Sequence, residues 1–96
     1  MIYVINNMTV HDNDLYKKYL SGFVATFEPF GGKILAVQNA PTPIEGRWPY
    51  DRTILLSLPS HDAFNQWINS EAYKAIVVHR HASTVSNVVV LDAFTP

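Results

Sequence analysis

The sequence predicts an α+β domain in the order strand, helix, strand, strand, helix, strand. Three observations carry that expectation. Four short segments are rich in β-branched and aromatic residues. Two longer stretches repeat apolar residues at helical spacing. Turn-forming and helix-capping residues punctuate the joins between them.

Ile2 to Val10 is the first strand, ending before the turn-prone His11-Asp12-Asn13. Asp12 is placed to cap a helix, and Asp14 adds negative charge near its positive end. Leu15, Tyr16, Tyr19, Leu20, Phe23, Val24 and Phe27 then form one broad apolar stripe. Gly31-Gly32 stops that helix, because glycine accepts the left-handed conformation of a C-cap. Lys33 to Asn39 is the second strand. Residues 40–51 hold Pro41, Pro43, Gly46 and Pro49, a composition no strand interior tolerates, and form a loop. Thr53 to Leu58 is the third strand, closed by Pro59. Ser60 caps a second helix whose inward face is Ala63, Phe64, Trp67 and Ile68. Asn69-Ser70 interrupts it, Ser70 recaps it, and it resumes through Ala72, Tyr73, Ile76 and Val77 towards Arg80. Val85 to Leu91 is the last strand, followed by a short tail. Right-handed crossovers then place strands one and three at the centre of a four-stranded antiparallel sheet with both helices on one face, the ferredoxin-like arrangement.

Composition narrows the partners. Ninety-six residues make one small domain, spanning 1–96, which buries only roughly 60–65% of its unfolded surface, so association helps its stability. Charged residues are 16% of the chain, against about 25% on average, which suggests that part of the outer surface is covered. Seven basic and eight acidic residues, with Lys17-Lys18 the sole adjacent basic pair, argue against nucleic-acid binding. The absence of cysteine removes disulfides, thiolate nucleophiles and cysteine-ligated metals. Ile2-Tyr3-Val4-Ile5 comes directly after the initiator with no basic region and no long apolar stretch, so neither a signal peptide nor a membrane span is expected, and a cytoplasmic location is the default.

The strands themselves imply a second copy. With both helices on one side, a wetted opposite face should be polar at every second position. Ile2 to Ile5, Ile54 to Leu56 and Val88 to Leu91 are instead apolar at consecutive positions. Pairing two such sheets face to face would bury about 800 Å² on each partner, an ordinary interface, and form a barrel-like homodimer.

Asp12-x3-Tyr16-x2-Tyr19, Gly31-Gly32-Lys33 and Glu45-Gly46-x5-Arg52 fall in order along the first half, followed by Pro59-Ser60, Trp67-x2-Ser70-x2-Tyr73 and Arg80. As a set covering nearly the whole chain, these elements resemble the family known as domain of unknown function 1330. The resemblance implies a ferredoxin-like fold in the dimeric α/β barrel superfamily, whose members include small monooxygenases, lactone isomerases and ligand-sensing domains. It carries over no catalytic role, since the family has no settled activity. Leu58 stands where phenylalanine is common, Glu71 where proline often follows the serine, and Ala93 near a usual glycine.

Several residues are candidates for chemistry. The loop holds Glu45, Arg47, Trp48 and Tyr50, with Arg52 at its exit, and this set suits a small planar anion or an aromatic ring. The same residues also fit a structural role, with Glu45 and Arg52 paired across the loop and Trp48 at the dimer rim. His79 is a candidate general base and Arg80 a candidate anion anchor, although both also suit a negative helix end. His79-x-His81 chelates a metal only on extended backbone, and no metal site is expected. Tyr16, Tyr19, Trp67 and Tyr73 point towards the core, where they pack and would also line any cavity between sheet and helices. No nucleophile elbow, phosphate-binding glycine loop or dinucleotide fingerprint occurs, so no cofactor is expected. Three functions remain open: an enzyme acting on a small organic molecule, with Glu45 or His79 moving a proton; a metabolite-sensing module without turnover; and a self-association domain.

Overall fold

A computed structural model describes residues 1–96. Its elements run β1 (Ile2–Val10), α1 (Asn13–Phe27), a 3-10 turn over Glu28–Phe30, β2 (Lys33–Asn39), β3 (Arg52–Leu58), α2 (His61–Ile68), α3 (Glu71–Ser83) and β4 (Thr84–Asp92). The strands form one antiparallel sheet in the order β2-β3-β1-β4, the ferredoxin-like topology. The last helix runs three residues past Arg80, and its end abuts β4 without a loop.

Local chemistry explains the helix boundaries. The Asp12 carboxylate accepts a hydrogen bond from the Leu15 N–H at 3.0 Å, satisfying one of the orphan donors of the first turn. Ser60 does the same for Ala63 at 3.1 Å. Ser70 works in both directions: its hydroxyl donates to the Trp67 carbonyl at 2.7 Å and accepts from the Tyr73 N–H at 3.2 Å. One side chain thereby ends α2 and begins α3, so Glu71 substitutes for proline at no visible cost to the cap. Gly31 has φ +81°, the left-handed conformation that ends the first helical segment before β2. At Gly22 an added Cβ would lie 3.1 Å from the Ile76 side chain, so glycine lets α1 and α3 approach closely.

All three helices lie on one face of the sheet. Along β1 the buried positions are Ile2, Val4, Asn6 and Met8, alternating with half-buried Tyr3, Ile5 and Asn7. The ladder extends that alternation across the sheet: Val4 lies opposite Leu56 and Val90 on the covered face, and Ile5 opposite Leu55 and Val89 on the other. The core is therefore a single layer between sheet and helices, built on Phe27, Ile2, Met8 and Leu58 with Phe23, Trp67 and Tyr73 stacked above. The molecule is 15 Å through its shortest dimension and 39 × 33 Å across, and only 17 of its 96 residues are buried. Nothing in the chain covers most of the second face, where Val85, Val89 and Leu91 are about half exposed or more.

The loop of residues 40–51 covers one end of that open face. The Trp48 indole N–H donates to the Thr53 hydroxyl at 3.0 Å, and that hydroxyl donates to the Asn7 amide oxygen at 2.9 Å. Asn87 donates to the Tyr50 hydroxyl at 3.3 Å, and the Trp48 and Tyr50 rings meet edge to face. Asn7, Thr53 and Asn87 form one row across three strands, so the loop roofs a polar end of that face. Asp51 pins the loop's exit, donating its N–H to the Met8 carbonyl and accepting the Val10 N–H on its carboxylate.

Candidate functional site

A cleft of roughly 100 Å³ lies between the covered face of the sheet and the three helices. β1, β3, β2 and β4 supply its floor. Its walls are Tyr19 and Phe23 from α1, Phe64 and Trp67 from α2, and Tyr73 and Arg80 from α3. Thirteen of its sixteen lining residues are hydrophobic, and the other three are Asn6, Arg52 and Arg80.

Each of those three carries a polar atom without a partner. Asn6 lies between Ile54 and Val88 in the ladder, and its buried amide oxygen accepts no hydrogen bond. Arg80 is 7% exposed; its Nη2 donates to the Tyr73 hydroxyl at 3.3 Å, and its Nε has no acceptor. Two helical turns separate Tyr73 from Arg80 on α3, which directs both side chains inward on one face. Arg52 donates to the Asn39 side chain at 2.8 Å, while its Nε is also unpartnered. Buried polar atoms without partners are rare, and each asks for an explanation.

The two guanidiniums sit against a pair of tyrosines. Arg52 lies over the Tyr16 ring at 5.6 Å and Arg80 over the Tyr19 ring at 5.7 Å, with the two rings stacked 6.0 Å apart. Cation–π attraction of this kind contributes more when desolvated. Burial pushes the Tyr19 hydroxyl well above the usual phenol range, the nearby Tyr73 adds to that, and Arg80 opposes it. Burial likewise raises Tyr16, against the lowering influence of Arg52 and Arg80. Both phenols are therefore neutral near pH 7 and supply no counter-charge. No aspartate or glutamate lines the cleft. The His61 ring and the Asp92 carboxylate meet on the surface, outside the cleft.

Arg52 marks the way in. With Tyr16 and Leu20 it also borders a wider, solvent-open groove that includes Asn39 and Asp51. Arg52 and Leu20 line both spaces and so form the boundary between solvent and cleft.

Of the residues singled out in the sequence, Arg52, Arg80, Tyr19, Trp67 and Tyr73 meet in the cleft, and Tyr16 stands in the adjoining groove. Trp67 points its indole N–H away, to the Thr26 hydroxyl at 3.3 Å, and presents its ring. The sheet separates Trp48 from this group: it is bonded to the open face while Arg52 extends from the covered one. Glu45 is exposed in the loop, forms no ion pair with Arg52, and lines none of these spaces. His79 is half-buried on α3 and also lies outside the cleft. His79 and His81 share a helix, where their rings diverge. Asn6 escaped notice in the sequence. Its signal was parity, since a polar residue at position 6 shares a face with Ile2, Val4 and Met8.

Solved structures share the architecture. A protein of unknown function from Rhodopseudomonas palustris superposes with TM-score 0.85 at 22% identity, over 99% of this chain and 83% of that one. SnoaB, a cofactor-independent oxygenase from Streptomyces nogalater, gives TM-score 0.69 at 13% identity, over 99% and 94%. A dimeric ferredoxin-like protein of unknown function from Thermobifida fusca gives 0.65 at 14% identity, over 96% and 90%. At these identities the likeness shows the fold alone. No curated protein matches the chain. The family model described as domain of unknown function (DUF1330) matches residues 1–94, and the chain belongs to that family.

Proposed function

We propose that this protein is a homodimer, paired through the open face of its sheet, that binds a small organic molecule in the cleft between sheet and helices. The observation that carries the reading is the cleft's chemistry. Its walls are apolar, and every non-hydrophobic group in them has an atom with nothing to bond. Binding sites commonly combine an apolar cavity with a few convergent polar groups. In this reading Arg52 and Arg80 orient the ligand, and Tyr16, Tyr19, Trp67 and Tyr73 enclose it. Glu45 and His79 receive no role.

Binding is favoured over acid–base turnover, because no histidine or carboxylate faces the cleft and Tyr19 stays protonated at neutral pH. The oxygenase neighbour from Streptomyces nogalater is consistent with chemistry on this fold without a cofactor. A homodimer accounts for the exposed Val85, Val89 and Leu91, and the 39 × 33 Å breadth accommodates the about 800 Å² that each partner of an ordinary interface buries. The dimeric neighbour from Thermobifida fusca supports it by analogy.

The chain has two tryptophans, one on each side of the sheet. Trp48→Phe leaves Trp67 as the sole reporter of the cleft. Titrating that variant with compact organic molecules should give a saturable change in Trp67 emission and a matching rise in Tm for at least one chemical class. A broad panel that produces neither signal would refute the reading.

A further inference from the structure

Resting on that reading, we propose that the ligand is a compact monocarboxylate whose carboxylate sits on the Arg80 guanidinium and whose hydrocarbon body of four or five carbons lies against Phe23, Phe64 and Trp67. The starting point is an unbalanced charge. Arginine is almost never fully buried unless paired, and a charge left unpaired in a low-dielectric site is strongly disfavoured. Arg80 is 7% exposed, yet its one side-chain partner is the neutral Tyr73 hydroxyl. No carboxylate of this chain lies within ion-pair distance of it. Tyr19, directly beneath it, is held neutral by its burial. The missing partner is an anion from outside the chain.

The cleft selects among anions. A guanidinium presents N–H groups in a planar fork that matches a carboxylate edge to edge. A phosphate carries up to two charges and four oxygens, and Arg80 is the one arginine of this lining that is buried. One anionic group suffices, because Arg52 stands at the solvent boundary, half-buried and bonded to Asn39, where water shares its charge. The remaining thirteen lining residues call for hydrocarbon. Volume sets the size. An apolar cavity of about 150 Å³ accepts benzene, and this one of roughly 100 Å³ accepts a somewhat smaller body.

A matched pair of probes tests the assignment on the full chain carrying Trp48→Phe: isovalerate and its neutral, nearly isosteric amide, isovaleramide. Isovalerate should bind saturably, at least tenfold more tightly than isovaleramide, with inorganic phosphate weaker than either. Arg80→Met keeps the side chain's length without its charge and should reduce the carboxylate preference to within twofold. If that variant does not fold, Arg80→Lys, which keeps the charge and loses the planar fork, should weaken isovalerate at least tenfold while leaving isovaleramide unchanged. Equal binding of acid and amide would overturn the proposal while leaving the cleft a ligand site. Isovalerate binding unchanged by Arg80→Met, or phosphate binding as tight as isovalerate, would overturn it too. If neither probe binds but other compact molecules do, the ligand class is wrong; if no molecule binds, the ligand-site reading fails with it.

Discussion

The two faces of this sheet are built from alternate residues of the same strands and have opposite deficits. On the covered face the apolar groups of β1 and β3 are packed, with Ile34, Val37 and Val88 towards its edges left 43–45% exposed, but Asn6, Arg52 and Arg80 keep polar atoms without partners. On the open face the polar groups of Asn7, Thr53 and Asn87 are paired through Trp48 and Tyr50, while Val85, Val89 and Leu91 stand in water. A dry surface short of hydrogen bonds suits a small polar ligand, and a wet one short of apolar cover suits another protein surface. The chain supplies what is missing on neither side; under the proposed function a ligand would supply the first and a second copy of the chain the second.

The largest expected effect comes from the covered face. Phe27 is 1% exposed beneath Trp67, and Phe27→Ala should cost about 3–5 kcal/mol, lowering Tm in calorimetry by more than about 12 °C. The open face should respond in association rather than folding. Leu55→Asp places a charge beside Ile5, the centre of the Leu55, Ile5 and Val89 row, and an unpaired buried charge costs about 3–5 kcal/mol. Sedimentation should show at least a hundredfold weaker pairing with Tm measured on the monomer little changed.

A sharper contrast uses neighbouring asparagines. Asn6→Leu removes a buried acceptor that bonds to nothing and should raise the stability of the ligand-free protein by about 1–2 kcal/mol. Asn7→Leu leaves the Thr53 hydroxyl proton without its acceptor and should lower it by about 1 kcal/mol. Denaturant titrations giving the same sign for both would break the distinction between the faces.

The remaining effect appears only in alkali and is absent near neutral pH. The fold favours the neutral form of Tyr19, so it holds that proton more tightly than the unfolded chain does. Stability from this source is intact below pH 10, the phenol's ordinary value, and is lost as pH rises above it, by up to about 1.4 kcal/mol per pH unit. Tyr19→Phe should flatten that decline in Tm.

Much of the fold was legible because its signals are local. Asp12, Ser60 and Ser70 cap the helices their positions predict, since a cap needs only the next three residues. The order of elements came with them, with β3 and β4 each starting one residue earlier than periodicity suggests. The site was only partly legible. Tyr19, Trp67 and Tyr73 lie on helices, where spacing sets direction, and they reached the cleft. Trp48 and Arg52 are neighbours in sequence but end on opposite sides of the sheet, because an irregular loop does not fix which face the next strand's first residue takes. His79 and Arg80 are adjacent, yet a helix turns by about 100° between them, and only Arg80 shares the inward face of Tyr73. Which buried groups go unpartnered depends on three-dimensional neighbours, so neither the isolation of Arg80 nor the role of Asn6 can be read from composition.

Sedimentation equilibrium of the unmodified protein at micromolar concentration tests the contrast between the faces most directly. A species of twice the 10.8 kDa chain mass, reduced to one chain by Leu55→Asp, is the predicted result. A stable 10.8 kDa monomer, leaving Val89 and Leu91 exposed to water, would contradict it.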